Sequence, residues 1–430
     1  MSLGSLPPEI LVPPPGPRSR ELSRRLAELE APGVNTLPSL PDAADTASLL
    51  WEEAAGANVR DVDGNLYIDL TSGFGVAAVG HRHPKVVAAV REQAGLLLHG
   101  LGDVHGHPLR VELAARLVRL APVDDGQLFF AISGAEAVEI ALKTAVAATG
   151  RPGVIAFEPS YHGLTLGALA VTSRPEFRDP FAAHLHGHVH RLPYACDPSR
   201  VEERLRSGEV GCILVEPIVG REGVLIPPAG WLAELSRLAR RHGAVLIADE
   251  IFTGFGRTGK LFAVDHEGDQ GMRPDILCCG KALGGGLPIA AVVASRPLFR
   301  CWETQGEARH TATFIANPVA CAAALAVLDI LEEEDLATRA ARMGETVGRR
   351  LSSWPERHSG ISAIRGRGLL WGVELRSAEI AKRWTREALA KGIILLAGGP
   401  EGRVAQIVPP LTIPEELLET ALDLLEGALG

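Results

Sequence analysis

The sequence predicts an α/β protein built on a large, mostly parallel sheet with helices on both faces. The chain has 430 residues, enough for two or three domains with a sizeable core. Apolar residues make up 46% and charged residues 22%, which excludes intrinsic disorder for the body of the chain. From about residue 127 to 300, short apolar runs alternate with helical stretches, as in a parallel sheet. The runs are QLFFAIS, GVIAFE, GCILVEP, AVLIADE, DILCCG and AAVVAS.

The segments around this sheet predict a smaller α+β domain formed from the two chain ends. Repeated prolines predict an extended arm over residues 1–18, followed by a helix capped by Ser19. Residues 51–70 read as two strands around the Asp63-Gly64 turn. Residues 317–353 read as one long helix, and the tail mixes strands with two more helices. We therefore expect a first segment at 1–68, a large domain at 69–318 and a C-terminal domain at 319–430.

Charge and cysteine usage limit the partners of the protein. The 43 basic and 52 acidic residues give a net charge of −9, which disfavours nucleic acid and anionic membranes as partners. No apolar run is long enough for a transmembrane helix, and the N-terminus does not resemble a secretory signal. The six cysteines lie in apolar runs without a CxxC pair, so we expect a reducing, cytoplasmic location and no zinc ribbon.

Three short segments carry candidate chemistry at the predicted strand ends. Ser133 and Glu136 match a capping box, and the same helix start could instead bind a phosphate through free N–H groups. Asp249 ends an apolar strand, where it serves either as a cap or salt-bridge partner or as the partner of a protonated ring nitrogen. Lys281 lies between an apolar strand and a glycine loop, where desolvation would make it a Schiff-base nucleophile.

Two further motifs favour a structural interpretation. The segment GFGRTGK at 254–260 matches GxGxxG, but Leu261 stands where a Walker A loop needs Ser or Thr, and no helix follows. We therefore expect a structural loop. Four histidines spaced two apart come with no acidic or cysteine ligand at usable spacing, so we expect no metal site. They are His184, His186, His188 and His190.

The order of several motifs resembles the class III aminotransferases. The run SGAEAVEIALKTA, SYHGLT, VEPIVGREGV, LIADEIFTGFGRTGKLFA, PDILCCGKALGGGLPIAAVV and HTATFIANPVACAAAL occurs in that order. The resemblance covers about residue 19 to the C-terminus. It implies a fold type I enzyme dependent on pyridoxal 5'-phosphate (PLP), related to 4-aminobutyrate and ornithine aminotransferases.

The resemblance implies a role for each matching residue. Lys281 would hold PLP as a Schiff base and then move the proton of the reaction, and Asp249 would keep the ring nitrogen protonated. Thr313 would reach the phosphate of a neighbouring subunit, which implies a homodimer or a dimer of dimers. The remaining cofactor contacts are Ser133, Gly134 and Ala135 on the phosphate, Tyr161 and Ile251 on the two ring faces, and His162 and Glu216 beside the site.

Several positions depart from the pattern of the resembling family on the substrate side. Leu164 stands where an arginine often binds a distal carboxylate. Gln406 stands where an arginine binds the α-carboxylate, with Arg403 three residues earlier. Arg221 replaces the glutamate that pairs with that arginine, and Phe252 replaces a glutamine beside the phenolic oxygen of the cofactor. Phe74 replaces a smaller aliphatic residue.

These departures predict an amine or amino acid donor with an uncharged side chain. Leu164 and Phe74 make one side of the pocket apolar, where a carboxylate would lose its hydration without a partner. Arg221 or Arg403 would then bind the carboxylate of a 2-oxo acid acceptor. The alternative is a PLP-dependent racemase or epimerase, since the cofactor residues of both classes are shared. A binding scaffold without activity is disfavoured, because Lys281 and Asp249 are both present.

Overall fold

The computed structural model describes residues 3–34 and 47–429. Residues 1–2 of the predicted arm and residues 35–46 of the predicted first segment lie outside the described residues. Helix α1 (Pro17–Leu29) begins with a proline in its first turn, so the expected cap at Ser19 is wrong. Ser19 is buried within the helix, and its backbone N–H donates to Oδ2 of Asp63 at 2.9 Å.

A seven-stranded mixed sheet forms the centre of the molecule. Its strand order is β4-β10-β9-β8-β7-β5-β6, in which six strands run in one direction and β10 runs in the opposite one. The six predicted strands are all present, and β6 extends the sheet at one edge. The strands are β4 (Gly126–Ala131), β5 (Gly153–Glu158), β6 (Val189–Pro193), β7 (Val210–Val215), β8 (Val245–Asp249), β9 (Ile276–Cys279) and β10 (Ala290–Ser295).

Helices cover both faces of this sheet, as predicted. Side chains alternate along each strand, so Cys212 and Leu214 pack with helix α5 while Ile213 and Val215 pack with the opposite helices. Helix α9 ends at Gly243 in a left-handed conformation, the expected glycine stop. The helices from the sheet region are α5 (Gly134–Thr149), α6 (Leu166–Val171), α7 (Pro175–Arg178), α8 (Pro198–Leu205), α9 (Trp231–His242) and α10 (Arg296–Phe299).

Two four-stranded sheets stand apart from the central one. One has the order β1-β2-β3-β13 and the other β11-β12-β15-β14, so residues from both chain ends meet in the first. The domain boundaries at 68/69 and 318/319 stay a prediction. The strands are β1 (Trp51–Ala55), β2 (Asn58–Asp61), β3 (Leu66–Asp69), β11 (Ile361–Arg367), β12 (Leu370–Leu375), β13 (Ile393–Ile394), β14 (Leu396–Gly398) and β15 (Val404–Ile407).

The expected single helix over residues 317–353 is wrong, because the segment contains two helices. Helix α11 ends at Glu333, and Asp335 adopts a left-handed φ of 43° that stops the helical path before α12. The remaining helices are α2 (Ser72–Gly75), α3 (Pro84–Leu96), α4 (Pro108–Leu120), α11 (Pro318–Glu333), α12 (Leu336–Ser352), α13 (Trp354–Arg357), α14 (Ala378–Ala390) and α15 (Glu415–Glu426).

The structure also bears on membrane insertion and on the state of the cysteines. No helix within residues 3–34 and 47–429 is long and apolar enough to cross a membrane. All six cysteines are free thiols, and four of them are buried.

Candidate active site

The candidate residues lie at one edge of the central sheet. Strands β4, β5, β7, β8 and β9 are mutually parallel, so their carboxyl ends share that edge, where ligands of α/β proteins bind. Asp249 pairs with Cys278 across β8 and β9, which brings it beside the turn that carries Lys281. We call the residues that follow these strand ends the strand-end site: Ser133–Ala135, Tyr161, His162, Glu216, Asp249 and Lys281.

Asp249 and His162 form the buried centre of the strand-end site. Oδ2 of Asp249 lies 2.7 Å from Nδ1 of His162, and Oδ1 accepts the N–H of Ile251 at 3.1 Å. Burial opposes protonation of His162, but the hydrogen bond and charge of Asp249 outweigh it and raise the histidine's pKa. Nε2 of His162 is buried without a hydrogen-bond partner in the part of the chain that the structure describes. These contacts leave Asp249 with lone pairs for one further donor.

Glu216 fixes two backbone segments next to this centre. Its Oε1 accepts the N–H of Tyr161 at 2.9 Å, and its Oε2 accepts the N–H of Gly220 at 3.0 Å. Burial raises the pKa of Glu216 to about 7, with the charge of His162 opposing and that of Asp249 adding to the shift. Glu216 therefore holds the segments that carry Tyr161 and Arg221.

Lys281 presents its amine over an aromatic ring. Its Nζ lies 4.0 Å from the ring centroid of Phe252, and its backbone φ is 37°, a conformation that non-glycine residues rarely adopt. Burial lowers the pKa of Lys281 to about 8, opposed by the charges of Asp249 and Glu216. A lysine with this pKa has an appreciable neutral fraction near neutral pH, which a nucleophilic amine needs.

Phe252 lies in a slot that two glycines create. A Cβ at Gly75 would approach a carbon of this ring to 2.4 Å, and one at Gly220 would approach another to 2.0 Å. The ring therefore fills the space between the 71–75 segment and the 216–221 segment. Hydrogen bonds from Thr71 and Gly73 to the buried Asp69 hold the 71–75 segment in turn.

The start of helix α5 offers free donors. Oγ of Ser133 accepts the N–H of Glu136 at 3.2 Å, as a helix cap does. The expected capping box is only half formed, because the Glu136 carboxylate accepts the N–H of Ile132 rather than that of Ser133. Among the described residues, no partner occupies the N–H groups of Ser133, Gly134 and Ala135. The side chain of Ile251 covers Gly134, so a Cβ there would meet it at 2.9 Å.

An arginine-rich cluster lies next to the strand-end site. The Arg221 guanidinium carbon lies 4.1 Å from the ring centroid of Tyr161 and 5.3 Å from that of Phe177. Its charge also contributes to lowering the pKa of Lys281. Arg174 lies 5.6 Å from the same Phe177 ring. We call Arg174, Phe177, Arg221, Glu222 and Gln406 the arginine rim.

The two C-terminal candidates occupy different surroundings. Nε2 of Gln406 donates to the carbonyls of Gly220 at 3.0 Å and Arg221 at 2.9 Å, so its side chain holds the backbone of Arg221. Arg403 instead forms ion pairs with Glu374 at 3.7 Å and Glu401 at 3.1 Å. A substrate contact of Arg403 stays a prediction, and the contacts favour Arg221 over Arg403 as the free cation.

Sequence reasoning missed Arg174 and Glu222. Nε of Arg174 donates to Oε2 of Glu222 at 2.9 Å, and the Glu222 side chain is only 1% exposed. A charged REG triplet inside the apolar run IVGREGVLI could have drawn attention to Glu222. Nothing in the sequence indicates that Arg174, 48 residues earlier, is its partner.

Three candidates lie at the surface. The side chains of Phe74 and Leu164 are 65% and 51% exposed, and Thr313 is exposed as well. Phe74 has a left-handed φ of 62° within helix α2. Surface side chains can contact a substrate or a neighbouring subunit. The predicted contacts of these three residues stay predictions.

The glycine-rich segment 254–260 has structural contacts. Arg257 is buried and donates to the carbonyls of Leu369 and Pro409, and its burial, opposed by the charge of Asp69, lowers its pKa to about 9. Among the histidines of 184–190, only His190 lies in a strand. Within residues 3–34 and 47–429, no group of three or more His, Cys, Asp or Glu residues is arranged to hold a metal ion.

The strand-end site fits PLP. The free N–H groups at the start of a 16-residue helix suit a phosphate. Asp249 retains lone pairs for a protonated ring nitrogen, and Lys281 supplies an amine for an aldehyde. A PLP enzyme of fold type I is the class of protein that this fold and site define.

Comparisons with known proteins agree with this class. The class III aminotransferase family matches residues 40–429. The acetylornithine aminotransferase of Methanopyrus kandleri is 42% identical over 374 residues, 87% of this chain and 92% of that protein. The alanine/serine racemase of Pyrococcus horikoshii is 32% identical, over 98% of this chain and 92% of that protein. A PLP-bound amine transaminase structure from an uncultivated Pseudomonas species has a TM-score of 0.83 at 29% identity, covering 93% of this chain and 99% of that one.

The chain belongs to the class III aminotransferase family. It is a PLP-dependent aminotransferase, as the sequence predicted. The predicted fold class and cofactor are confirmed as well.

Proposed function

We propose that the enzyme moves an amino group from an amine or amino acid with an uncharged side chain to a 2-oxo acid, using the strand-end site. One observation carries this proposal: five parallel strands of the central sheet end at the same edge, where Lys281 and Asp249 lie. Bound PLP supplies an electron sink for the carbon that loses its proton. Every other step depends on groups of the chain itself.

Lys281 and Asp249 divide the chemistry between them. The Lys281 amine would hold the cofactor and, once free, would take a proton from the substrate carbon and deliver it where the transfer of the amino group requires it. The Asp249 carboxylate, oriented by Nδ1 of His162, keeps the ring nitrogen protonated. Tyr161, Ile251 and the Ser133–Ala135 N–H groups would hold the cofactor, the N–H groups through its phosphate.

Arg221 binds the carboxylate of the 2-oxo acid. Among the described residues, its guanidinium forms no ion pair, and it lies beside Tyr161 at the strand-end site. A carboxylate placed there replaces water as the partner of this cation. Phe74, Leu164 and Phe252 make the donor side apolar, which favours an uncharged donor side chain. The substrates in the racemase relative's name agree, since alanine and serine both carry uncharged side chains.

The test follows the visible absorbance of the PLP-loaded protein. Amino acids with uncharged side chains are added singly without any oxo acid, and we expect one to remove the absorbance and pyruvate to restore it. Arg221→Gln should raise the KM for the oxo acid about tenfold or more, since it removes a charged hydrogen-bond donor. The exposed Arg241 on α9, changed to Gln, is the matched control. An unchanged KM in Arg221→Gln would exclude Arg221 as the carboxylate ligand.

Racemisation is the second candidate, because a racemase relative aligns with 98% of this chain. A racemase returns the proton to the carbon from which it came and leaves the amino group in place. Exchange of the α-hydrogen for deuterium, with the visible absorbance intact and no oxo acid formed, would support this alternative. Oxo acid formation in step with loss of absorbance excludes it as the main activity.

A homodimer is the proposed assembly, with Thr313 contacting the cofactor phosphate of the neighbouring subunit. Large apolar side chains surround Thr313 at the surface, with Leu98 64%, Val104 67% and Phe314 61% exposed. Monomers rarely expose such a patch. Nδ2 of Asn317 donates to the carbonyl of Leu98 at 2.9 Å and joins the two segments. Light scattering on Phe314→Asp and Val104→Asp variants should show monomers with weakened PLP binding; dimers of unchanged stability would contradict the assignment.

The cytoplasm is the proposed location. The free state of all six cysteines supports a reducing compartment. Fractionation of cells that express the protein tests this directly.

A further inference from the structure

Two arginines approach a single aromatic ring in the arginine rim. The guanidinium carbons of Arg174 and Arg221 lie 5.6 and 5.3 Å from the ring centroid of Phe177. Arg221 is the inner of the two, since it also stacks on Tyr161. Arg174 is the outer one, since its NH2 group donates to the carbonyl of Gly399 in the C-terminal part of the chain, at 3.0 Å. A substrate with a carboxylate at each end could engage both cations.

Among the residues that the structure describes, only the outer arginine is neutralised by the chain itself. Glu222 accepts a hydrogen bond from Nε of Arg174 at 2.9 Å, and its side chain is 1% exposed. The second oxygen of Glu222 is buried and has no hydrogen-bond partner within residues 3–34 and 47–429. A buried carboxylate that already lacks one partner would become far less stable if it lost its arginine as well. The Arg174–Glu222 pair therefore resists being opened by a substrate.

The pair is also tied to the backbone that carries Arg221. The N–H of Gly399 donates to the carbonyl of Arg221 at 3.2 Å, and Nε2 of Gln406 donates to the same carbonyl at 2.9 Å. Arg174, Gly399 and Arg221 thus form one continuous set of contacts. Movement of Arg174 toward a substrate would disturb the backbone of Arg221.

We infer that Glu222 is a specificity-determining residue, which holds Arg174 away from the substrate and restricts the acceptor to 2-oxo acids with one carboxylate. This inference rests on the proposed role of Arg221. A monocarboxylate needs only the free Arg221. A dicarboxylate must either leave its second carboxylate without a cation or break the Arg174–Glu222 pair, and both cost binding free energy. The selectivity for one carboxylate thus comes from Arg174, a cation that is already paired with Glu222.

The experiment measures binding of two unreactive probes to the PLP-loaded enzyme by calorimetry. Propionate represents one carboxylate and glutarate represents two. The wild-type enzyme should bind propionate at least as tightly as glutarate. Glu222→Gln should shift the ratio of their Kd values about tenfold or more toward glutarate, because it releases a charged partner for the second carboxylate. The double variant Glu222→Gln with Arg174→Gln should return the ratio to the wild-type value.

The controls separate this inference from the function on which it rests. Glu202→Gln removes a carboxylate that pairs with Arg206, just after helix α8, and with Arg241 of helix α9, and it should leave the ratio unchanged. If propionate binds equally well to Arg221→Gln, the proposed role of Arg221 fails.

If propionate binding needs Arg221 but Glu222→Gln leaves the ratio unchanged, only the role of Glu222 fails. Tighter binding of glutarate by the wild-type enzyme overturns that role without any variant. The wild-type comparison therefore decides the question even if Glu222→Gln does not fold.

Discussion

The strand-end site and the arginine rim are adjacent, but they are built in different ways. Each residue of the strand-end site follows a strand of the central sheet within a few residues, so the sheet positions it. The arginine rim depends on contacts between distant segments. Arg174 and Glu222 are 48 residues apart, and Gln406 is 185 residues from Arg221. The residues proposed for the chemistry thus lie at strand ends of the sheet, whereas the proposed carboxylate ligand Arg221 lies on a loop that distant parts of the chain hold in place.

The largest expected effect comes from removing the amine of the strand-end site. Lys281→Ala should lower kcat by about 10³-fold or more, since it removes both the attachment point and the group that moves the proton. Borohydride reduction followed by mass spectrometry should find the cofactor on Lys281 in the wild-type protein and on no residue in the variant. Lys260→Ala, in the glycine-rich loop, is the control. Cofactor attached elsewhere in Lys281→Ala would disprove the assignment.

The second effect tests the charge at the centre of the strand-end site. Asp249→Asn should lower kcat about 10²-fold to 10³-fold, because the ring nitrogen loses its anionic partner. The pKa of His162 should fall as well, since the Asp249 hydrogen bond and charge raise it in the wild-type protein. NMR titration of the histidine checks this shift. Asp275→Asn is the control, since Asp275 bonds the N–H of Leu246 at the opposite edge of the sheet.

The third effect concerns the stability of the cofactor-free protein. The pKa of Lys281 is lowered from 10.5 to about 8. Below pH 8 the buried amine is charged in the folded state, and this buried charge costs free energy of unfolding. That cost disappears as the pH rises from 8 to 10.5. Lys281→Met should therefore stabilise the cofactor-free protein by about 1–2 kcal/mol at pH 7, after allowance for solvent screening. Urea unfolding at pH 7 and pH 10.5 should show the difference shrinking; an equal difference at both pH values would refute the explanation.

The smallest expected effect concerns Gln406, which belongs to the arginine rim. Gln406→Ala should raise the KM for the oxo acid about fivefold with little change in kcat, since it removes two hydrogen bonds that position Arg221 without touching the strand-end site. Gln93→Ala removes a comparable side-chain hydrogen bond on α3 and should leave the KM unchanged. A fall in kcat with KM constant would place Gln406 with the chemistry instead.

The difference between the strand-end site and the arginine rim also explains which parts of the site could be predicted from the sequence. Lys281, Asp249 and Ser133 each lie beside a regular apolar strand, so a local pattern predicted both the strand and the position of the residue at its end. The long helix was predicted wrongly because no proline or glycine marks the break, which the backbone conformations of Glu334 and Asp335 alone create. The Arg174–Glu222 pair was missed because no local pattern links residues whose contact exists only after the loops have folded.

Strand β3 has a consequence for the order in which the chain assembles. Its inner edge is completed by β13, where Ile68 lies opposite Ile393 and the Leu70 N–H reaches the carbonyl of Ile394. During synthesis this edge therefore stays unpaired until Ile393 and Ile394 have left the ribosome. An open strand edge invites pairing with other chains. The segment that carries Phe74 directly follows β3, so the segment proposed for the substrate side of the pocket gains this support only after β13 has been synthesised.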